Sequence, residues 1–358
     1  MNTEQVIKAI EDSFRKQVQK DDKVQNAYLM VHWEKADIHM NIAEGETRGI
    51  TANPQQPNYM ASVGKIFTAT LIAMLHEQGK LSFEDQIIKY IDEDIAKKLH
   101  VYKGKDYTDQ IKIKHLLNQT SGLFDNFWPL IDQMLENPDF NMSPKEAIIW
   151  GRDNLESKDI PGKKLYYTDT NYHLLGLIIE RVTGKTFDQA LKEYFFQPLD
   201  MKHSYVLHTS EPIEKCPYPM ADFYFKGNRI NDYQGYKGID YAGGGVVATN
   251  EDLLKFMKAL ATYRLVSKET LDLMKQDKAR FGIAIDYGYS IWQFKTIPII
   301  MPKKFNCWGC VGATGAFMFY HPELDAYVIG NFNDVSYMSK GLMFMLKKVI
   351  NNLTKLKV

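Results

Sequence analysis

The sequence predicts an α+β protein in which an antiparallel sheet is flanked by helices and carries an inserted, mainly helical lobe. Three observations predict it. Runs rich in β-favouring residues lie toward both ends of the chain, at 25–43 and beyond about 285. Helix-start signals concentrate between about 80 and 240. The 358 residues exceed what one ordinary domain needs. The expected division is a mixed α/β lobe from 1–80 and 240–358 and a helical lobe from 81–239. A groove between two such lobes is a natural place for an active site.

The elements follow in order. Val6, Ile10, Phe14 and Val18 recur every four residues, which predicts an N-terminal helix with one buried face. The string Tyr28-Leu29-Met30-Val31-His32-Trp33 predicts a hairpin that turns near Lys35-Ala36. A loop rich in Pro, Gln and Asn, Ala52 to Asn58, precedes a helix from about Ser62 to Gln78, and Gly79 sits where a C-terminal glycine belongs. Ser82 with Asp85 and Thr186 with Gln189 read as capping boxes, and Ser143-Pro144-Lys145-Glu146 adds proline at the first helical position. Thr249 to Asp252 opens a helix carrying Leu253, Phe256, Met257 and Leu260. Tyr287–Thr296, Ala316–His321 and Ala326–Phe332 read as strands, and 336–354 as a closing amphipathic helix.

Composition excludes several function classes. The 44 basic and 44 acidic residues cancel, so net charge supplies no reason to expect a nucleic acid or an anionic membrane as partner. No run reaches 18 apolar residues, so no membrane span is expected. Charges interrupt the N-terminal segment throughout, which leaves no signal-peptide core and predicts a cytoplasmic chain. Three cysteines fit a reducing compartment. Cys307-Trp308-Gly309-Cys310 is a CxxC with no second CxxC or HxxxH, and it reads as two small buried residues rather than a redox pair or half a metal site. Neither a metal nor an organic cofactor is expected.

The chemistry begins at Ser62-Val63-Gly64-Lys65, an S-x-x-K at the start of a helix. A spacing of three places both side chains on one helix face. A serine hydroxyl is a poor nucleophile until its proton is taken, and a desolvated lysine beside it assists that transfer. The helix N-terminus favours negative charge developing at Ser62. Alone the tetrapeptide is weak, because a capping serine and a solvated lysine spell the same four letters.

Its context is more specific. The stretch Tyr59 to Thr68, running into Leu71-Ile72-Ala73-Met74-Leu75 and Gly79-Lys80-Leu81-Ser82, resembles the nucleophile helix of class C β-lactamases, D-aminopeptidases and related esterases. Ile113 to Leu123, ending Thr120-Ser121-Gly122-Leu123, resembles the "TSGL" segment of that penicillin-recognising superfamily. Pro161-Gly162 followed by Tyr167-Thr168-Asp169-Thr170-Asn171-Tyr172 resembles its Tyr-x-Asn region, with Asp169 in the asparagine position. Trp308 to Phe317 resembles its Lys-Thr-Gly or His-x-Gly strand, with Gly312 in place. Gly243 to Asp252, Pro198 to Met201 and Tyr287 to Trp292 resemble further family segments, so the likeness spans about 25 to 355.

The resemblance implies a β-lactamase/transpeptidase-like fold and a serine hydrolase working through an acyl-enzyme. Ser62, Lys65 and Tyr167 take the catalytic positions, and a Tyr167 phenolate beside Lys65 would accept the serine proton; Tyr166 is the adjacent rival. Backbone N–H groups of Ser62 and Ala313 form the expected oxyanion hole. Asp169, Cys310, Val311 and Gly312 are the expected substrate-binding positions. Cys310 departs from the pattern, since a neutral thiol cannot anchor a substrate carboxylate as lysine does. The departure favours an esterase or small amidase/peptidase over a β-lactamase. The alternative is a penicillin-binding or ligand-sensing module with little or no turnover. The expected partner is a small molecule or short peptide. Phe124, Trp128, Tyr287 and Trp292 are candidate groove aromatics, and oligomeric state is not legible.

Overall fold

The computed structural model describes residues 1–137, 139–297 and 301–356. Helix α1 (Thr3–Gln19) buries Val6, Ile10, Phe14 and Val18, the face its period marks out. Asn2 and Gln5 cap it reciprocally: the Gln5 N–H donates to Asn2 Oδ1 and the Asn2 N–H to Gln5 Oε1, at 2.9 and 3.1 Å. Strands β1 (Asn26–Trp33) and β2 (Ile38–Thr47) form the expected hairpin. Its turn is a short 3₁₀ segment, Glu34–Ala36, closed by Asp37 at φ 55°.

The hairpin belongs to a nine-stranded antiparallel sheet. From one edge the order is Ala279–Arg280, Ile285–Tyr287, Trp292–Phe294, Trp308–Val311, Phe317–His321, Ala326–Asn331, β1, β2 and Ile50–Thr51. Thus β1 pairs with the strand at 326–331, Tyr28 opposite Asn331, and the two ends of the chain meet in one sheet. The central strands are buried almost throughout, so both faces are covered. Helix α1 packs with the C-terminal helical run, where Phe14 meets Phe332 and Phe344 at ring separations of 6.1 Å each. The helix Asn250–Ala261 packs on β1 and its neighbours, and its Phe256 stacks on Phe67 at 3.8 Å. The helices at 113–117, 127–136, 144–154, 170–183 and 187–191 come from the segment between the two sets of strands.

Several elements differ from the sequence reading. The single strand expected at Tyr287–Thr296 is a hairpin, with Tyr287 opposite Trp292. Between them Ser290 takes φ 59° and the Tyr289 hydroxyl donates to Asp277 at 2.6 Å. Ser82 and Asp85 do not start an α-helix. The Ser82 N–H donates to Asp85, but that carboxylate also accepts from the Tyr90 hydroxyl, and only a 3₁₀ turn, Ile87–Lys89, follows. Residues 205–235 form turns and short strands rather than helix. The closing helix runs Met338–Phe344, widens into a π turn over Met345–Ile350 and ends at Asn351–Leu353.

A buried amide network joins the sheet to the chain leading into Ser62. Asn333 Nδ2 donates to Asn26 Oδ1 at 2.7 Å and to Asn58 Oδ1 at 3.1 Å. Asn331 Nδ2 donates to the Tyr59 carbonyl at 2.7 Å and to Asn333 Oδ1 at 2.6 Å. All four asparagines are buried, so each lost bond leaves a dry polar atom without a partner. Asn333→Ala is expected to lower unfolding stability by about 2–4 kcal/mol, read as a fall in urea midpoint with unchanged slope.

Candidate active site

Ser62 lies in a 3₁₀ turn, Ala61–Gly64, that feeds helix α2 (Lys65–Glu77). The turn is tightly fixed. Ala61 takes the left-handed φ of 48°, an uncommon state for a residue with a Cβ. The Met60 N–H donates to the Val246 carbonyl at 3.2 Å. Gly64 and Gly244 pass in near contact: a Cβ on Gly64 would sit 2.9 Å from Gly244 Cα. Glycine at both positions lets the Gly243-Gly244-Gly245 run press against the turn that holds Ser62.

Lys65 is fully buried one turn beyond Ser62. Its Nζ donates to Ser62 Oγ at 3.0 Å, to the Gly243 carbonyl at 2.5 Å and to Asp169 Oδ1. Three acceptors thus match the three N–H bonds of an ammonium. Tyr167 packs against the same group, its ring centroid 5.2 Å from Lys65 Nζ. Tyr166 is turned away toward Lys164. The structure therefore brings Ser62, Lys65, Tyr167 and Asp169 together.

The strand Trp308–Val311 supplies the facing wall. Val311, Gly312 and Ala313 line one cavity of about 580 Å³ together with Ser62, Tyr167 and Asp169. A Cβ on Gly312 would lie 2.5 Å from the Met60 carbonyl, so glycine is what allows this strand end to meet the turn that holds Ser62. The backbone N–H groups of Ser62 and Ala313 have no acceptor among the described residues. Both residues border the cavity, which is the requirement for an oxyanion hole.

Two positions depart from expectation. Cys310 does not border the cavity. It is wholly buried, and its thiol donates to the Ser62 carbonyl at 3.2 Å. Burial pushes the thiol up to about 12, so it is a neutral donor. The second departure is the Tyr167 phenolate. Burial, then the negative charge of Asp169, then Cys310 push the Tyr167 phenol well above its ordinary range, with contact to Ser62 opposing. A resting phenolate is disfavoured there. Of the candidate aromatics, Trp128 and Trp292 line the cavity, whereas Phe124 and Tyr287 are core.

Sequence reasoning missed two carboxyls on the cavity wall, Asp125 and Asp240. Asp125 follows the Thr120–Leu123 segment and accepts the Asp169 N–H at 3.1 Å. Burial, reinforced by the charge of Asp169, raises it to about 6. Asp240 accepts from the Tyr59 hydroxyl at 2.8 Å. Burial raises it to about 8; the charge of Lys65 opposes this and that of Asp169 adds to it. The available signal was an ionisable residue inside the apolar run Ile239-Asp240-Tyr241-Ala242, next to the glycine run. The wall formed by Met338, Ser339, Leu342 and Met343 was also missed, because an amphipathic helix does not announce what its outer face meets.

Fold and geometry together bring a serine and a lysine one helical turn apart to the wall of one cavity. The chain belongs to the family described as Beta-lactamase, which it matches over residues 18–346. It is similar to the putative penicillin-binding protein PbpX of Bacillus subtilis, 26% identical over 230 residues, 63% of this chain and 51% of that one. The chain thus spans about half the length of that relative. Its fold is similar to D-amino acid amidase from Ochrobactrum anthropi SV3, TM-score 0.79 at 20% identity, covering 98% of this chain and 99% of the other. It is likewise similar to EstCE1, a hydrolase with promiscuous acyltransferase activity, TM-score 0.76 at 17% identity, covering 96% and 98%. No helix among the described residues is long and apolar enough to cross a membrane.

A carboxyl whose folded pKa is raised binds its proton more tightly in the native state than in the unfolded one. Asp240 therefore favours folding least once pH has risen from the ordinary carboxyl range through about 8. Asp240→Asn is expected to raise the urea midpoint relative to the parent, with a larger gain at pH 8.5 than at pH 5.

Proposed function

We propose that this chain is a serine hydrolase that opens small esters or amides through an acyl-enzyme on Ser62. The observation that carries the reading is the buried Lys65 Nζ 3.0 Å from Ser62 Oγ, beside a cavity that both oxyanion N–H groups border. Ser62 Oγ attacks the substrate carbonyl, whose oxygen gains negative charge against the N–H groups of Ser62 and Ala313. Tyr167 is held protonated, so it acts as a relay: it accepts the Ser62 proton while passing its own to the leaving group. The Lys65 ammonium steadies the charge that develops between them. Water then attacks the acyl group, the relay runs in reverse, and a carboxylic acid leaves as Ser62 is restored.

Esters and uncharged amides suit the site better than β-lactams. The position that anchors a substrate carboxylate in lysine-bearing relatives is held here by the buried neutral Cys310. The resemblance in fold to an amidase and to EstCE1 supports the same range of substrates. A second reading, a ligand-sensing module with little turnover, draws on the three-way clasp of Lys65, which leaves its nitrogen no free lone pair. Intact mass after exposure to a β-lactam separates the two: a stable adduct on Ser62 without release supports the sensing module.

On nitrophenyl esters, Ser62→Ala is expected to lose at least about 1,000-fold in kcat. Tyr167→Phe is expected to lose about 100- to 10,000-fold, the ordinary range for a proton-transfer group, with KM little changed. Turnover that survives Ser62→Ala would remove the serine mechanism.

A further inference from the structure

A second cavity, of about 430 Å³, lies where the segment at 114–120, the loop at 162–165 and the strand Ala279–Arg280 meet. No residue lines both it and the cavity beside Ser62. Part of its lining is polar and buried. Thr120, 6% exposed, donates its hydroxyl to Asn118 Oδ1 at 2.6 Å, and Asn118, 5% exposed, donates Nδ2 to Asp277 Oδ1 at 3.2 Å. Asp277 is the one carboxylate on the lining, and its Oδ2 accepts from the Tyr289 hydroxyl at 2.6 Å. Against it stand five cations: Lys114, Lys163, Lys164, Lys278 and Arg280. Glu84 is shared by Lys112 and Lys114, Asp286 is shared by Lys278 and Lys295, and Asp159 is 3.5 Å from Lys163. Lys164 and Arg280 pair with no carboxylate among the described residues; Lys164 lies over the Tyr166 ring, and the Arg280 Nε–H donates to the Gly282 carbonyl at 3.1 Å. His115 adds a neutral donor. Its Nδ1 accepts the Lys112 N–H at 3.2 Å, which leaves the ring proton on Nε2, and burial, then Lys114 and Lys112, push the imidazole down to about 4. That Nε2–H has no acceptor among the described residues.

We propose that this cavity is a binding site for a compact multivalent anion of the phosphate type, held by Lys164 and Arg280 with His115 as a neutral donor. Cations from separate segments that border one hollow without their own counter-ions repel each other, and an anion between them reverses the sign of that interaction. A single carboxylate satisfies one such cation. A phosphate or diphosphate carries enough charge and enough oxygens to bridge a lysine point charge and an arginine fork at once. The volume has room for either. Further donors stand close by, since the backbone N–H groups of Lys163, Lys164 and Leu165 have no acceptor among the described residues. The cations border one hollow rather than a stripe, which suits a compact anion and not a nucleic-acid strand. Arg280 leads directly into Phe281, which lines the cavity beside Ser62 at a ring separation of 6.2 Å from Tyr167, so the anion binds next to that cavity and outside it.

The test is calorimetric and does not depend on turnover. The intact chain is titrated at pH 7.5 and constant ionic strength with pyrophosphate, phenyl phosphate and acetate. Both phosphate compounds are expected to bind at least about tenfold more tightly than acetate. Tighter binding of pyrophosphate assigns the site to a free diphosphate, and tighter binding of phenyl phosphate to a phosphoryl group borne on a larger molecule. Lys164→Ala and Arg280→Ala are each expected to weaken the better phosphate ligand about tenfold, with an unchanged urea midpoint because both side chains are exposed. Lys303→Ala makes the same change in net charge at a lysine that pairs with Glu323 and does not line the cavity, and it is expected to leave binding as in the parent. Acetate binding as tightly as the phosphate compounds, affinity unchanged in both cavity variants, or an equal loss in Lys303→Ala overturns the proposal.

Discussion

The Lys65 ammonium holds the molecule's working parts in place. A charge buried this completely persists only where every proton on it has an acceptor. The three acceptors come from three separate stretches of chain: Ser62 in the turn before α2, Asp169 ahead of the helix at 170–183, and the Gly243 carbonyl in the glycine run. Their convergence leaves little room for substitution. A Cβ on Gly243 would come within 2.6 Å of Asp169 Oδ1. The strain at Ala61 and the near contact of Gly64 with Gly244 follow from the same demand, that backbone come close enough to surround one nitrogen.

Much of this was legible because the deciding interactions are local. The four-residue period of α1, the Ser143–Glu146 cap and the S-x-x-K spacing each act within a turn or two of helix. The order of the motifs then carried the fold. Illegible features depend on distant neighbours. Ser82 and Asp85 make cap-like bonds, yet Tyr90 claims the same carboxylate and the helix does not form. Tyr287 to Thr296 is rich in β-favouring residues, yet it turns at Gly288–Ile291, with Ser290 at positive φ and Tyr289 anchored on Asp277, so that Tyr287 pairs with Trp292. Cys310 was placed on the correct strand, but the strand's packing turned its thiol to the Ser62 carbonyl.

Charge gives the sharpest contrast between the two levels of description. The chain balances 44 basic against 44 acidic residues, and nothing in that balance suggests a polarised site. The fold nevertheless gathers three carboxyls around one cavity, with Lys65 buried behind Asp169 as the cation that meets them. Lys303 pairs with Glu323, and Lys304 reaches Asn351. Net charge governs long-range attraction, whereas recognition at a pocket depends on the few groups within hydrogen-bond reach.

The pairing of β1 with the strand at 326–331 also bears on how the molecule is made. Tyr28 and Asn331 are partners across about 300 residues of chain, so the middle of the sheet cannot close until both have been synthesised. Contacts of such long sequence separation form slowly, because loop closure is unfavourable until the full interface compensates it. Until then β1 and β2 present an unpaired hydrophobic edge, the kind of surface that chaperones cover and that aggregates when left bare. The cavity wall at 338–343 lies beyond that strand, so a nascent chain carries Ser62 and Lys65 long before the cavity beside them is complete.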